Sequence, residues 1–332
     1  MAVIGASYPT LSDVSARLDP KGKIASIAEI IQETNEVIED VFWVEGNLPT
    51  GHKLTQRSGY PDVTWRLFNY GVPQSKSRTT QITETCGMLE AYSEIDKDLA
   101  MLNGNTAAFR LSEDKAFLEG MAEEFATKFF YGDTTTTPEE ILGLAPRYAS
   151  LSGAVGENVL DAGGTGSDNT SIWLVTWDSS TLFGIYPNGS KAGLQFQDLG
   201  EQTLFDTNTP IGRYQGYRSH YQWKCGLALK DWRYVVRICN IDVNMLTKDA
   251  TGASADLIDL MTQAIELLPT QNRGRKSFYC NRTIKSFLRR QISNKDNVNL
   301  TLDNVSGKHV MAFDGIPVKK CDAILETEQA IF

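Results

Sequence analysis

The stretch LSEDKAFLEGMAEEFATKFFYGDTTTTPEEILGLAPR, Leu111–Arg147, decides the fold of this chain. Apolar side chains recur in it at helical spacing, at Leu118, Met121, Ala122, Phe125 and Phe129. Ser112 is a candidate N-cap and Gly132 a candidate stop, which predicts a helix over 112–131. The following segment, Thr134–Glu140, predicts a short second helix that ends near Leu144. The long helix contains neither His nor Cys, so we interpret it as a structural element.

Composition places the chain among ordinary globular proteins. It has 332 residues, of which 41% are hydrophobic and 22% charged, enough for a real core. The net charge of −9 argues against a nucleic-acid-binding protein of the usual basic type, although an acidic wall can still enclose a polyanion. Five Cys without a CxxC pair predict reduced thiols. We find no signal-peptide pattern and no membrane-length apolar run, so we expect a soluble protein made in the cytoplasm.

The region Leu54–Cys86 is rich in Thr, Arg, Ser and aromatic residues, and it alternates weakly, as strands do. Asn69, Gly71 and Pro73 indicate a turn near its middle. We therefore predict a long two-stranded hairpin. Because an isolated hairpin is marginally stable in water, it must lie either on its own domain or on another molecule. The apolar groups it can offer are Trp65, Leu67, Phe68 and Tyr70.

The remaining patterns mix helices with antiparallel strands. Helices are predicted at Ile24–Val41, Met88–Leu102, Leu257–Leu268 and Ile284–Ile292. Strands are predicted at Ser171–Trp177, at several places in 181–220, in a hairpin over Tyr221–Asp242 turning near Asp231, at Ser277–Asn281, and on both sides of Asp314-Gly315. Because the predicted strands and helices do not alternate as βαβ units, we predict the α+β class. Residues 1 to about 23 read either as a frayed terminus or as an arm that grips a neighbour.

No motif for catalysis or cofactor binding is complete. GIYPNGSK, Gly184–Lys191, has the Ser and Lys of a phosphate loop in the wrong order, and GGTGSDN, Gly163–Asn169, lacks a third Gly. GASAD, Gly252–Asp256, lacks the final Gly of a nucleophile elbow. None of the three His has a second ligand at metal-binding spacing: His52, His220 and His309. We therefore predict that the protein is not an enzyme and has no catalytic residue, no cofactor and no metal site.

Four long, non-repetitive strings resemble the major capsid proteins of epsilon15-type short-tailed double-stranded-DNA phages. They begin with FLEGMAEEFATKFFYGD, SIWLVTWDSSTLFGIYPNGSK, YQWKCGLALKDWRYVVRICNID and FDGIPVKKCDAILETE, at Phe117, Ser171, Tyr221 and Phe313. The resemblance runs in order from about residue 24 to the end of the sequence. It implies the HK97-type capsid fold of a tailed bacteriophage, and a structural protein of the virion.

The resemblance also implies a domain plan and a function. The plan is an N-terminal arm and helix at 1–45, an extended loop at 46–87, a peripheral domain at 88–180 and 306–332 around a spine helix at 112–131, a β insertion at 181–220 and an axial domain at 221–305. The implied function is self-assembly into the hexamers and pentamers of an icosahedral shell, with T=7 suggested. The implied partners are other copies, a scaffold, a portal and a cement or decoration protein. Double-stranded DNA would be enclosed without sequence-specific binding, in a virion capsid assembled in the host cytoplasm and without a membrane.

The extended loop is the expected site of contact between subunits. The residues we expect to make this contact are Arg57, Trp65, Arg66, Phe68, Tyr70 and Arg78. Some relatives join subunits covalently through a Lys of this loop, but nothing marks Lys53 or Lys76 as reactive, and we predict no crosslink. The alternatives are another virion component, such as a decoration or tail protein, a glycosidase, and a sugar-binding module. The last would use the strand tryptophans Trp173, Trp177, Trp223 and Trp232.

Overall fold

The computed structural model describes residues 35–102, 106–205, 212–246, 256–291, 300–305 and 308–332. The chain divides into two compact units, which we describe separately. Among these residues, the first unit comprises Met88–Phe125 and Gly193–Lys224. The second comprises Thr34–Gly87, Ala126–Ala192 and Cys225–Phe332. Helices and a largely antiparallel sheet are mixed along the chain, so the α+β class is confirmed.

The helices within these ranges are α1 (Val37–Asp40), α2 (Lys97–Met101), α3 (Thr106–Tyr131), α4 (Gly153–Gly156), α5 (Leu257–Glu266) and α6 (Arg282–Gln291), with a 3₁₀ turn at Trp232–Tyr234. The predicted spine helix is α3. It begins at Thr106 rather than at Ser112, which lies inside the helix. It ends before Gly132 as predicted, where the Gly132 N–H donates to the Lys128 carbonyl at 2.9 Å.

The strands are β1 (Trp43–Glu45), β2 (Gly51–Gly59), β3 (Arg78–Asp96), β4 (Val159–Asp161), β5 (Asn169–Trp177), β6 (Leu182–Tyr186), β7 (Leu194–Phe205), β8 (Arg213–Leu229), β9 (Val235–Asp242), β10 (Arg275–Cys280), β11 (Leu300–Val305), β12 (Lys308–Phe313) and β13 (Ile316–Lys320). The main sheet order is β11-β12-β13-β10-β5-β6-β8-β3-β2. In addition, β1 pairs with β6, β7 with β8, and β9 with both β4 and β5.

The second unit holds the larger core. The strand β5 is buried along its whole length because β9 and β10 flank it and helices cover its faces. Its Ile172 and Leu174 belong to one apolar cluster with Met261 of α5 and Ile284 of α6. Large aromatic side chains from the end of α3 pack with β5, and Phe130 lies 5.9 Å from the Trp173 ring. These fully buried groups contribute buried apolar area, which stabilises this unit.

The first unit is a smaller layer of helix and sheet. The α3 ring of Phe125 lies 4.5 Å from Trp223 of β8, and Phe117 stacks near Tyr221 of the same strand. Ile95, Ala100 and Phe109 form a second small cluster. Side chains two positions apart on a strand point to the same face of the sheet, so Tyr221 and Trp223 both face α3.

Several predicted elements are confirmed. The extended hairpin, β5, β10, α5 and α6 lie close to their expected positions. The Asp314-Gly315 pair turns the chain between β12 and β13 with φ of 49° and 74°. Positive φ at both central residues is the geometry of a tight hairpin turn, which Asp-Gly favours.

The helix predicted over Met88–Leu102 is wrong, because β3 continues to Asp96 and only the short α2 follows. Met88 and Tyr92 are 59% and 43% exposed, whereas Ser93 and Ile95 are buried. The true period of this segment is therefore two. A coincidental spacing of four between apolar residues hid this alternation, and pairing in the sheet overrides a weak local preference.

Three further predictions need correction. The turn near Asp231 exists, but β8 and β9 do not pair with each other, so Tyr221–Asp242 is not a hairpin. The short helix expected over Thr134–Leu144 is a series of turns, because Leu144 N–H donates to the Phe129 carbonyl at 3.0 Å and the segment folds back on α3. Of the helix at Ile24–Val41, residues 24–34 lie outside the described ranges, and the remainder shows only α1.

Candidate inter-subunit contact surface

The extended loop is a hairpin whose lower part is a regular ladder. β2 and β3 pair antiparallel from Gly51↔Thr85 to Arg57↔Thr79, and the register shifts between Arg57 and Gly59. At the base, Leu54 is buried in a cluster with Phe183, Ile185 and Ala228. The base of the loop is therefore part of the core of the second unit, where burial of Leu54 fixes it.

We call residues 60–77 the loop tip, because no strand continues through them. Every residue of the tip is exposed. The chain reverses at Asn69, whose φ is 69°, and the Tyr70 N–H donates to the Leu67 carbonyl at 3.2 Å. The Ser75 hydroxyl donates to the Asp62 carbonyl at 2.7 Å and joins the two limbs. The predicted turn is thus confirmed.

The tip carries an unusual amount of exposed apolar surface. Trp65 is 101% and Phe68 91% exposed. The other large exposed apolar side chains of the tip are Tyr60, Val63, Leu67, Tyr70 and Val72. Single exposed apolar residues are normal, but so many on one short segment are typical of an interaction surface. The predicted contact residues did not include Tyr60, Val63, Leu67 or Val72, although the position of these residues between the two strands was a usable signal.

The charge of the loop is opposite to that of the whole chain. Between Arg57 and Arg78 there are four basic residues, which include Arg66 and Lys76, and one acidic residue, Asp62, so this segment carries +3 while the chain carries −9. Arg57, Arg66 and Arg78 are all exposed. None of them pairs with a carboxylate in the residues that the structure describes. The surface is therefore apolar and basic, and it is complementary to an acidic, partly apolar partner.

The predicted contact residues thus lie together on one protrusion. Trp65, Arg66, Phe68 and Tyr70 belong to the tip. Arg57 and Arg78 lie at the end of the ladder, where Arg57 is paired with Thr79 and Arg78 with Gly59. What they touch in an assembly stays a prediction. A residue pair that sequence reasoning missed lies at the base, where Glu84 meets Arg147. No spacing or motif connects these two residues, since only the fold brings them together.

The titratable and thiol side chains considered outside the loop tip show no sign of chemical reactivity. Burial and then Lys230 lower the pKa of His52, so the ring is neutral at pH 7. Burial raises the pKa of Cys86 to about 11 and that of Cys225 to about 12, so both stay protonated thiols. In the ranges that the structure covers, no cluster of His, Cys, Asp and Glu could hold a metal ion. No helix in those ranges is both long and apolar enough to cross a membrane.

The failed motifs and the strand tryptophans have structural explanations. In GIYPNGSK, Gly189 has φ of 78° and the Ser190 N–H donates to the Pro187 carbonyl, which is a turn. In GASAD, Asp256 caps α5, and the preceding residues lie outside the described ranges. Trp173 and Trp177 are 0% and 3% exposed, and Trp223 is 9% exposed. These three rings are therefore not available as a platform on which a sugar could stack.

Comparisons with known proteins agree with this architecture. The sequence profile of the family described as major capsid protein GP7 matches residues 19–332. The solved structure of bacteriophage epsilon15 contains a chain that is 36% identical, with a TM-score of 0.79, and the match covers 100% of this chain and 99% of that one. This likeness confirms the HK97-type capsid fold. A comparison with curated proteins gave no match.

More distant capsid structures were also found. The capsid of bacteriophage JBD30 is 9% identical with a TM-score of 0.47, covering 89% of this chain and 93% of that one. The capsid of a native GTA particle is 10% identical with a TM-score of 0.46, covering 72% and 99%.

Proposed function

Because the chain belongs to the major capsid protein GP7 family, we propose that its copies form an icosahedral shell of hexamers and pentamers through the extended loop. This is a family of structural capsid proteins and not of enzymes. We propose T=7 for the shell, packaged double-stranded DNA as its content, and assembly in the host cytoplasm. DNA would be held by enclosure, which suits a chain whose net charge is −9.

The observation that carries this proposal is the exposed tip of the loop. Residues 60–77 lie beyond the ladder, are all exposed, and include Trp65 and Phe68. Burying a few hundred Å² of such surface contributes several kcal/mol at about 25 cal/mol per Å² before the costs of association. A contact on a neighbouring copy supplies this burial. An isolated, permanently solvated tip would leave these aromatic side chains without a partner.

A contact of this kind suits a closed shell. The loop of one copy would lie on a different surface of the next, which is a heterologous contact that can close rings. Rings of five and six need contacts that tolerate small angular changes, and a protruding hairpin can supply them. Each contact can be weak and reversible, since repetition around a ring adds avidity. Errors can then dissociate before the shell closes.

We propose the domain plan in the same terms: an arm and helix at 1–45, the extended loop at 46–87, a peripheral domain at 88–180 and 306–332, a β insertion at 181–220, and an axial domain at 221–305. Gly193–Lys224 forms one compact unit with Met88–Phe125, which supports grouping most of the β insertion with the first part of the peripheral domain. A scaffold, a portal and a cement protein are the proposed further partners.

Negative-stain imaging of the protein expressed alone, and with its candidate scaffold, tests the proposal. We expect closed shells or capsomers with five- and six-fold symmetry. A protein that remains monomeric at high concentration under both conditions, while folded by circular dichroism, would contradict self-assembly.

A further inference from the structure

We propose that Glu84 and Arg147 are positioning residues for assembly, because their buried ion pair fixes the direction in which the extended loop leaves the subunit. The inference rests on the proposed function, since it assumes that the loop contacts a neighbouring copy. It adds a specific joint at the base of the loop, which determines where the tip can reach.

The pair has the geometry of a rigid joint. Arg147 Nη1 lies 2.5 Å from Glu84 Oε1, and Arg147 Nη2 lies 2.8 Å from Glu84 Oε2. The two side chains are only 13% and 5% exposed. Two parallel bonds between a planar guanidinium and a carboxylate fix both distance and orientation, which a single contact cannot do. A pair this deeply buried is also screened little by salt.

Arg147 connects the loop to the end of α3. Its Nε donates to the Gly143 carbonyl and its Nη2 to the Leu142 carbonyl, both at 3.1 Å. That segment is itself bonded to the helix end, since the Gly143 N–H donates to the Gly132 carbonyl at 2.8 Å. Glu84 belongs to β3 and lies opposite His52 in the ladder. The ion pair therefore joins the second limb of the loop to the last turn of α3.

The first limb has its own attachment to the second unit. Gln56 Nε2 donates to the carbonyls of Leu229 and Lys230, at 3.2 and 2.9 Å. Beyond Gln56 the register shifts at Gly59, and residues 60–77 are exposed. In the residues that the structure describes, the direction of the tip is thus set by attachments at the base.

Small changes at the base become large at the tip. Tyr70 lies fourteen positions before Glu84, so at about 3.3 Å per residue the tip can extend up to about 45 Å from the joint. A tilt of about 10° at the joint then moves the tip by about 8 Å. This displacement exceeds the width of an aromatic side chain, so the tip would no longer reach its contact surface on the neighbouring copy.

Two variants test the joint. Glu84→Gln keeps an acceptor but removes the charge, and Arg147→Lys keeps the charge but removes the planar fork. Glu328→Gln is the matched control, because it removes the partner of Arg237, a pair 2.8 Å apart with side chains 4% and 6% exposed in the same unit. Each full-length protein is measured for melting temperature, for hydrogen exchange of the β2–β3 amides, and for particle diameter by electron microscopy.

We expect both joint variants to raise exchange in the β2–β3 ladder at least ten-fold and to give particles of mixed size and shape. The control should lower the melting temperature but leave ladder exchange and particle diameter unchanged. Uniform, normal particles from the joint variants would overturn the proposal. The same irregular particles from Glu328→Gln would overturn it too, because the effect would then be general destabilisation.

The design separates this inference from the function it rests on. If Trp65→Ala with Phe68→Ala assembles normally, the loop contact itself fails. If that double variant blocks assembly while Arg147→Lys and Glu84→Gln build uniform shells, only the joint fails. Should Glu84→Gln not fold, Arg147→Lys decides, since its ammonium still neutralises Glu84.

Discussion

The double substitution Trp65→Ala with Phe68→Ala should abolish shell formation without unfolding the subunit. Both side chains are almost fully exposed, at 101% and 91%, so their removal costs the fold little. Surface substitutions of this kind usually change the free energy of unfolding by less than about 0.5 kcal/mol. The melting temperature of the unassembled subunit should therefore stay within a few degrees of the wild type.

The loss in assembly should be much larger. An aromatic side chain presents about 150–250 Å². If the two rings together lose about 160 Å² of buried apolar surface in each contact, the cost is about 4 kcal/mol at about 25 cal/mol per Å². That is about a thousand-fold in the association constant of each contact. Because a ring repeats the contact, the losses accumulate, and closed rings should not form at concentrations where the wild type assembles.

The assay combines light scattering, size-exclusion chromatography and negative-stain imaging over a range of protein concentrations. Thr64→Ala is the control, since Thr64 lies on the same exposed tip but loses little apolar area. It should assemble as the wild type does. Normal shells from the double variant, at the wild-type concentration, would refute the view that the tip drives assembly.

Three other predictions follow from charge, packing and cysteine chemistry. Raising the ionic strength from about 0.1 M to 1 M shortens the screening length from about 10 to 3 Å, so shell yield should fall if Arg57, Arg66 and Arg78 meet acidic neighbours. A variant with Gln at these three positions should lose this salt dependence. An unchanged wild-type yield would contradict the proposed ion pairs between subunits. Phe130→Ala, at a fully buried ring beside Trp173, should destabilise the subunit by about 3–5 kcal/mol in denaturant titration, whereas a change below about 1 kcal/mol would contradict the packing. Since burial raises the pKa of Cys225 to about 12 and that of Cys86 to about 11, a thiol reagent at pH 8 should label the native protein slowly and all five Cys only after denaturation; rapid native labelling of either residue would be inconsistent with this burial.

Local signals predicted much of the fold. Gly132 ends α3 where expected, and Asp314-Gly315 makes the turn that its residue types favour. The helix predicted over Leu257–Leu268 is present as α5, and Asp256 directly before it accepts hydrogen bonds from the N–H groups of Ile258 and Asp259. These features depend on neighbouring residues and on backbone preferences, so a single sequence contains the necessary information.

What the sequence did not predict depends on pairing between distant residues. Met88–Asp96 forms a strand because it joins a sheet, and its apolar spacing imitates a helix. The strands on either side of Asp231 have other neighbours, so a correct turn did not imply a hairpin. Glu84 and Arg147 are far apart in sequence, and no pattern marks them as partners. The loop tip was recognisable because its aromatic residues lack a matching local core.

The central claim is that the extended loop finds its apolar partner on another copy of the chain. A reconstruction of the assembled particle at side-chain resolution measures this directly. We expect residues 60–77 to lie on a neighbouring subunit with Trp65 and Phe68 buried there. A particle in which this tip contacts only its own subunit, or remains in solvent, would contradict the claim.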